Sequence, residues 1–452
     1  MSLFSRAPAA FALVCAALLS APARANGRFP ATNQLLTRPG DASHLALRTT
    51  FGLLRSDNAG VTWDWVCERA VGYAGTEDPA LVWHRDGELV AGLFDGLAVA
   101  DANTCSWARN AAIDKQVVVD VSMANAEGTS LDALTGSYDP TSPSVDPGYI
   151  SAIWSTVGDA QAWTQTSTLL PRDVIVESFD RAASDPQRLY VTGESESGGV
   201  RGGVFVRSRD GGQTWERKAF DLDPTGEHSV FLAAIDPRRA DRLYVRTSGS
   251  DAGRVLVSDD AGDTFRAIWS GSPPQGFALD DDGSNVWVGA FQEGLARAST
   301  TDFAFTTVNT IPIGCLHHAG SALFACSLDA YGFAAGRSDD AGHTFKPLLH
   351  LANIRGPREC AAGAGQAVCA VDWPFVKSGL GIQDEVPDAG AVPVFDGGAN
   401  SSSASTSACG CRVTGRADPK RNATVAWLLA GATVAFVRRR RRTTSSSLPR
   451  RR

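Results

Sequence analysis

An eight-residue string of the form Ser-x-Asp-x-Gly-x-Thr-aromatic returns along this chain, and a turn motif that repeats at sheet-sized intervals leaves few architectures open. It is complete at Ser208, Asp210, Gly212, Thr214 and Trp215, and again at Ser258, Asp260, Gly262, Thr264 and Phe265. It recurs at Ser338, Asp340, Gly342, Thr344 and Phe345, and near the N-terminus at Ser56, Asn58, Gly60, Thr62 and Trp63, where asparagine replaces the acid. A short acid accepts hydrogen bonds from the backbone of its own turn, and glycine supplies a conformation that a side chain forbids. The threonine and the aromatic then begin a new strand, with a ring large enough to plug the gap between neighbouring hairpins. Apolar runs precede the motif at Gly52 to Leu54, Val204 to Val206 and Arg254 to Val257, so each copy reads as strand, turn, strand.

These strings resemble the Asp-box, or BNR, repeat of β-propellers. The complete copies begin at 56, 208, 258 and 338, and eroded ones that keep the closing aromatic lie at Ala100 to Trp107, Thr156 to Trp163 and Ser299 to Phe305. Successive starts are 44, 56, 52, 50, 41 and 39 residues apart, near the period of a four-stranded blade. The spacing predicts an all-β propeller of four-stranded antiparallel blades, seven by preference, with six or eight open. A second repeat agrees. Ser184 to Val191 and Ile235 to Val245 each lead from polar turn residues into a short apolar strand, with weaker echoes at His84 to Gly92, Asp280 to Gly289 and Ala319 to Cys326. A single blade cannot bury both faces of its sheet, so the copies make sense only when stacked in a ring.

One segment breaks the pattern. Between Asp120 and Ile153 the chain runs longer than an inner hairpin needs and is rich in Ser, Thr, Pro and Asp. That predicts an insertion projecting from one face, where ligands usually meet such a ring, and replacing Ser130 to Ser144 with a short link is expected to leave the fold intact.

The two ends read as processing signals. Arg6, an apolar stretch from Ala9 to Leu19 and the small residues up to Ala25 predict a secretory signal peptide over 1–25, with Cys15 a poor lipid-attachment site. The repeat domain then spans 26–382. Residues 383–408 are rich in Ser, Gly, Pro and Ala and read as a flexible stalk. Cys409-Gly410-Cys411, an apolar segment over 423–437 and arginines 438–442 follow, before a basic tail over 443–452. This order resembles the MYXO-CTERM surface-sorting signal of myxobacteria. The resemblance implies cleavage by a sorting protease near the cysteine pair, lipidation of Cys409 or Cys411 and display at the cell surface. Fifteen apolar residues fall short of the ~17 to 20 that usually span a bilayer, so a transient stop-transfer helix is expected, with a permanent membrane anchor the alternative.

With those ends set aside, the charge changes. The first 25 residues hold two basic residues and no acid, and those after Cys411 hold twelve basic residues and one acid; 28 basic and 48 acidic residues remain between. A domain that acidic repels polyanions at long range, so nucleic acid is excluded as a partner. Cys67, Cys105, Cys315, Cys326, Cys360 and Cys369 are expected to form disulfides in an oxidising compartment. Six cysteines allow fifteen pairings; short bracketed segments favour Cys315 with Cys326 and Cys360 with Cys369, leaving Cys67 with Cys105.

No catalytic constellation stands out, and no cofactor or metal site is expected. Asp-box propellers occur in sialidases and other glycoside hydrolases and also in proteins without catalysis. Arg28-Phe29-Pro30 only faintly echoes the Arg-Ile-Pro of sialidases, and Tyr190 and Tyr244 lie in repeated strands rather than free for a nucleophile's role. Other glycosidases need two carboxylates facing each other across a cleft, ~5 to 9.5 Å apart. The loop acids Glu77, Asp78, Glu194, Glu196 and Asp280 to Asp282 read as solvated turns, and neighbours His317 and His318 should diverge on opposite faces of a strand. The expected function is non-enzymatic binding of an extracellular glycan or protein, with a divergent sialidase-like or other glycoside hydrolase as the alternative.

Overall fold

The computed structural model describes residues 30–74, 77–139, 148–197, 200–223, 226–361 and 365–383. The processing segments 1–25 and 409–442, the stalk beyond Gln383, and Arg28 lie outside them. Seven antiparallel sheets of four strands follow one another along the chain, over 32–66, 80–114, 117–165, 175–220, 227–271, 274–309 and 315–349; we number these blades 1 to 7. In every blade the strands pair in sequence order. The first strand of each blade touches the first strand of the next, and that of blade 7, Cys315–Ala319, touches that of blade 1, Thr32–Arg38. The wheel is therefore closed, with the first strands around its axis. Its apolar core lies between blades: seven clusters of buried side chains each join one blade to its neighbour.

All seven expected turns, complete and eroded, connect the third strand of a blade to its fourth. In blade 4 the Ser208 hydroxyl donates to Asp210 Oδ1 (2.7 Å) and accepts from the Gly212 amide (2.8 Å), while Asp210 accepts from the Thr214 amide (2.9 Å) and hydroxyl (2.6 Å). The Thr214 hydroxyl, then its amide and Ser208, hold the Asp210 carboxyl down at about 2. The same network recurs at Ser258, Asp260 and Thr264 and at Ser338, Asp340 and Thr344; in blade 1 the Asn58 side chain takes the acid's place and donates to Thr62. Gly262 shows why the glycine is needed. Its φ is +85°, and a Cβ there would fall on the Phe205 ring of the preceding blade. The closing aromatic also reaches back one blade: Phe265 packs on Phe205 and Phe220, and Trp63 of blade 1 donates to the Leu348 carbonyl of blade 7 at 2.9 Å.

The expected insertion is not one. Ser130–Tyr138 and Tyr149–Val157 are the second and third strands of blade 3, paired residue for residue over nine positions. Their polar side chains are matched across strands: Ser155 donates to Asp132 at 2.5 Å and Trp154 Nε1 to Thr135 at 3.3 Å. Replacing Ser130 to Ser144 would remove a structural strand; the remainder of the segment, 140–147, lies outside the described residues.

Two of the three expected cysteine pairings are also corrected. Cys315 bonds Cys326, as the short bracket suggests, but Cys67 bonds Cys369 and Cys105 bonds Cys360. The physical reason is closure of the wheel, which brings the end of the chain back against its beginning. After blade 7, residues 350–361 run beside the fourth strand of blade 1, Asp64–Val66: the Trp65 amide donates to the Gly356 carbonyl (2.7 Å) and the Arg358 amide to the Trp65 carbonyl (2.9 Å). Arg358 pairs with Asp57 at 2.7 Å, Arg355 with Asp64 at 2.6 Å, and Trp373 of the helix Cys369–Gly379 packs against Trp65 with ring centroids 5.5 Å apart. A strap thus crosses the seam between blades 7 and 1.

The sequence separation is 302 residues for Cys67–Cys369 and 11 for Cys315–Cys326. Because cross-linking restrains the unfolded chain more as the closed loop lengthens, replacing the first pair by serines should cost about 4 to 5 kcal/mol and replacing the second about 3. Urea unfolding of the two double variants checks this ordering; equal losses would show that the strap does not govern closure.

Candidate functional site

Strand alternation divides the wheel into two ends. Turns between strands 1 and 2 and between strands 3 and 4 share one end; turns between strands 2 and 3 and the links between blades share the other. At this second end the first strands carry one-residue bulges at Asn33, Glu177, His228 and Gln275, so four polar residues interrupt the ladder near the channel mouth. A bulge re-aims a side chain that strict alternation would place elsewhere.

Below this rim the channel gathers charge. Asp120 lies on the first strand of blade 3, Val117–Met123, and Glu177 on that of blade 4, Ile175–Arg181. Arg246, on the second strand of blade 5, lies within the fields of both, with Arg48 of blade 1 also in range. Arg246 donates to the Pro274 carbonyl at 3.0 Å and rests 4.7 Å from the centre of the Phe231 ring; burial pulls its guanidinium below the ordinary arginine value. Burial pushes Asp120 up to about 6 against bonds from the Phe179 and Val121 amides. Glu177 is pushed up to about 7, first by burial and then by the neighbouring Glu194, and its Oε2 has no hydrogen-bond partner. Asp180 also rises to about 7, through burial and then the charges of Asp120 and Asp132; Asp132 itself is held by Arg181 at 2.6 Å.

Of the loop acids singled out in the sequence, only Glu194 belongs to this group. It accepts from Ser229 of the next blade at 3.0 Å and pairs with Arg201 at 3.4 Å. Glu177 and Glu194 stand on adjacent strands of one sheet, where Ile175 opposes Glu194 and Val176 opposes Gly193. They are side by side, not opposed across a cleft. Glu77 accepts from the Phe94 amide at 3.4 Å in the link between blades 1 and 2, with Asp78 beside it, and Asp280 to Asp282 form a hairpin turn closed by the Gly283 amide on the Asp280 carbonyl. The side chain of Glu196 lies outside the described residues, as do Cys409 and Cys411. Tyr190 is buried and donates to the Ala240 carbonyl at 2.8 Å, and Tyr244 is likewise buried between blades. The two histidines diverge as expected: His317 accepts from the Thr37 amide at 3.3 Å, and its pKa is depressed by burial to about 4, whereas His318 stacks on Trp287 and meets Asp281 at 3.2 Å. Among the described residues no group of three His, Cys, Asp or Glu side chains is placed to hold a metal ion.

Asp120 and Glu177 escaped the sequence analysis, yet a signal existed. Each follows three β-branched residues, Val117 to Val119 and Val174 to Val176, although by register Val119 is the counterpart of Glu177 and Ser178 that of Asp120. An acid recurring inside an apolar first strand marks a channel position rather than a turn.

No protein-family model matches the chain, and no curated protein matches it. Solved structures of similar architecture include an ancestral GH74 enzyme (13% identity over 70% of this chain, TM-score 0.46) and the extracellular domain of a one-component system from B. thetaiotaomicron (13% over 66%, TM-score 0.44). A third is the Cps50 (Swd1) β-propeller domain of Myceliophteria thermophila (10% over 66%, TM-score 0.42). The chain spans 44% of that GH74 enzyme and 37% of that extracellular domain, but 95% of the Cps50 domain.

The raised carboxyls fix the sign of a pH dependence. A group whose folded pKa exceeds its unfolded value stabilises the fold fully below the unfolded value, and that contribution is lost as pH rises through the folded one. For Glu177 the window runs from 4.5 to about 7. Stability should therefore decline between pH 4.5 and 7.5, with Glu177 contributing at most about 3 kcal/mol. Thermal melts across this range should show a shallower decline in Glu177→Gln; an unchanged slope would place the titrating group elsewhere.

Proposed function

We propose that this chain is an exported, surface-displayed Asp-box propeller that binds an extracellular glycan or protein without catalysis. The observation that carries the reading is the placement of Glu177 and Glu194 on one sheet. Outside the sialidases, whose nucleophile is a tyrosine, glycosidic cleavage generally needs an acid and a second carboxylate on opposite sides of the scissile bond. The tyrosines Tyr190 and Tyr244 are buried between blades. A side-by-side pair with one member protonated near neutral pH and the other bound to Ser229 and Arg201 supplies no second face. It holds the channel wall together and leaves a polar rim for recognition. Turnover of a panel of chromogenic glycosides, sialosides included, should stay at background for the wild type; activity abolished by Glu177→Gln or Glu194→Gln would replace this reading with a glycoside hydrolase.

Export is supported by three disulfides in one domain, which persist in oxidising compartments. Among the described residues no helix is long and apolar enough to cross a membrane. Surface attachment in this proposal rests on the Cys409/Cys411 signal and the segment 423–437, with a sorting protease acting near the cysteines. Expressed in a bacterium with such a protease, the protein should fractionate with membranes and its Cys409→Ser/Cys411→Ser variant should appear in the medium; retention of the variant would favour a permanent helical anchor.

A further inference from the structure

The seven blades expose four large aromatic side chains, all at one end of the wheel; a fifth exposed ring, Phe375, lies on the strap helix Cys369–Gly379. Phe94, Tyr138, Phe291 and Tyr331 are 60%, 63%, 44% and 56% exposed; Phe94, Phe291 and Tyr331 sit on the turns between the second and third strands of blades 2, 6 and 7, and Tyr138 ends the second strand of blade 3 at the same end. In the blades, the end that carries the repeated turns exposes none among the described residues. An exposed ring on a turn makes no contribution to the interblade cores, so core packing does not account for this one-sidedness.

Each ring has a carboxylate within two residues, and each carboxylate is already held. Asp95 pairs with Arg109 at 2.7 Å, Asp139 with Arg172 at 3.1 Å and Asp329 with His350 at 2.8 Å, while Glu293 accepts from the Ser272 amide at 2.8 Å. A carboxylate whose charge is balanced within the chain exerts little long-range pull on a cation, but it keeps spare lone pairs for hydroxyl donors. The four tips thus repeat one chemistry: a flat apolar ring beside a fixed acceptor. Protein partners need a contiguous apolar centre ringed by polar residues, whereas each of these rings is on a separate blade with at most a single exposed apolar neighbour, Ile150 near Tyr138 and Leu328 near Tyr331. A pyranose offers an apolar C–H face and a girdle of hydroxyl donors, which is the complement of a ring beside an acceptor. The excess of acidic residues in the domain disfavours a charged, anionic polymer.

We propose that this end of the wheel binds an uncharged polysaccharide, with sugar rings stacking on Phe94, Tyr138, Phe291 and Tyr331 and hydroxyls donating to the adjacent carboxylates. The proposal rests on the non-catalytic binding reading above and names its ligand class and its face. Contacts on several blades make the affinity multivalent, so it should grow with chain length while short oligosaccharides bind weakly.

The test is affinity electrophoresis of the full exported protein in gels containing hydroxyethyl cellulose, galactomannan or amylopectin, with alginate and polylysine as charged controls. At least one neutral polymer should retard the wild type, equally at low salt and in 0.5 M NaCl, a concentration that leaves only about 4 to 5 Å of Debye screening length. The variant Phe94→Ala/Tyr138→Ala/Phe291→Ala/Tyr331→Ala should lose at least tenfold in affinity with an unchanged melting temperature. Tyr138 packs edge-on against Tyr149 at 5.6 Å, so Phe94→Ala/Phe291→Ala serves as a second variant that leaves this pair intact. Retardation that survives both variants would overturn the assignment of this face while leaving a binding function standing. Absence of retardation in all three neutral gels, or salt-sensitive retardation by polylysine alone, would overturn the ligand class; glycoside turnover in the same preparation would overturn the non-catalytic reading beneath it.

Discussion

Every blade is completed within its own stretch of chain, so the seam between blade 7 and blade 1 is a packing interface with no shared strand. On the rest of the wheel, consecutive blades are joined by a short covalent link and cannot drift far apart. At the seam only side-chain packing and a few hydrogen bonds, such as Trp63 to the Leu348 carbonyl and Thr32 to the Ala334 carbonyl, would oppose separation, and a wheel open at one seam leaves two blade faces wet. The strap answers this with two disulfides, main-chain bonds to Trp65, and ion pairs from Arg355 and Arg358 to Asp64 and Asp57. Buried Trp63 and Trp65 join Phe324, Leu349 and Cys369 in one cluster, so the seam has an apolar core as the other interfaces do. Of these ion pairs, the one from half-exposed Arg355 adds little, since surface pairs contribute ~0 to 1 kcal/mol, while Arg358 lies largely buried between Asp57 and Asp64. The covalent ties dominate.

The repeated turns do a different task. Each saturates its own hydrogen bonds locally, then sends a glycine and an aromatic back against the preceding blade, as Gly262 and Phe265 do against Phe205. A motif that looks like a local turn is therefore half of an interblade contact. That coupling explains why eroded copies still close: at Thr156 to Trp163 the expected acid and glycine are lost, yet Trp163 remains buried and donates to the Ala160 carbonyl at 2.8 Å. Plugging the gap between blades matters more to the wheel than the full network of the turn.

Architecture was legible because it is written in residues that repeat. Seven motif positions predicted seven turns, each found between the third and fourth strands, and the inner hairpins at Ser184 to Val191 and Ile235 to Val245 fell where a blade requires them. The cysteine pairing was misread for a reason internal to that success. Proximity in sequence is a fair guide in an open chain, but closure of the ring makes Cys67 and Cys369 neighbours across 302 residues. Blade 3 was misread because polar strands resemble loops in composition, and cross-strand pairs such as Asp132 with Ser155 cannot be seen before the register is known. The channel acids Asp120 and Glu177 occur once each in neighbouring blades and at different register positions, so the apolar run before each, and no repeat, is what marks them.

What separates the two ends of the wheel is how much of their hydrogen bonding is spoken for. The Ser, Asp and Thr side chains of the repeated turns are consumed by the turns themselves, which leaves little free for a ligand and tolerates little change. At the other end, bulges at Glu177 and His228 break the ladder, Glu177 Oε2 has no partner, and aromatic side chains stand in solvent. Seam and interblade contacts pass through particular residues of these turns, as Thr32 of blade 1 donates to the Ala334 carbonyl of blade 7 at 2.9 Å and Glu293 accepts from Ser272. Phe94, Tyr138, Phe291 and Tyr331, however, belong to none of the buried clusters and can vary without loss of the core. The proposed recognition site rests on this asymmetry: it is assigned to the end where the scaffold leaves rings in solvent.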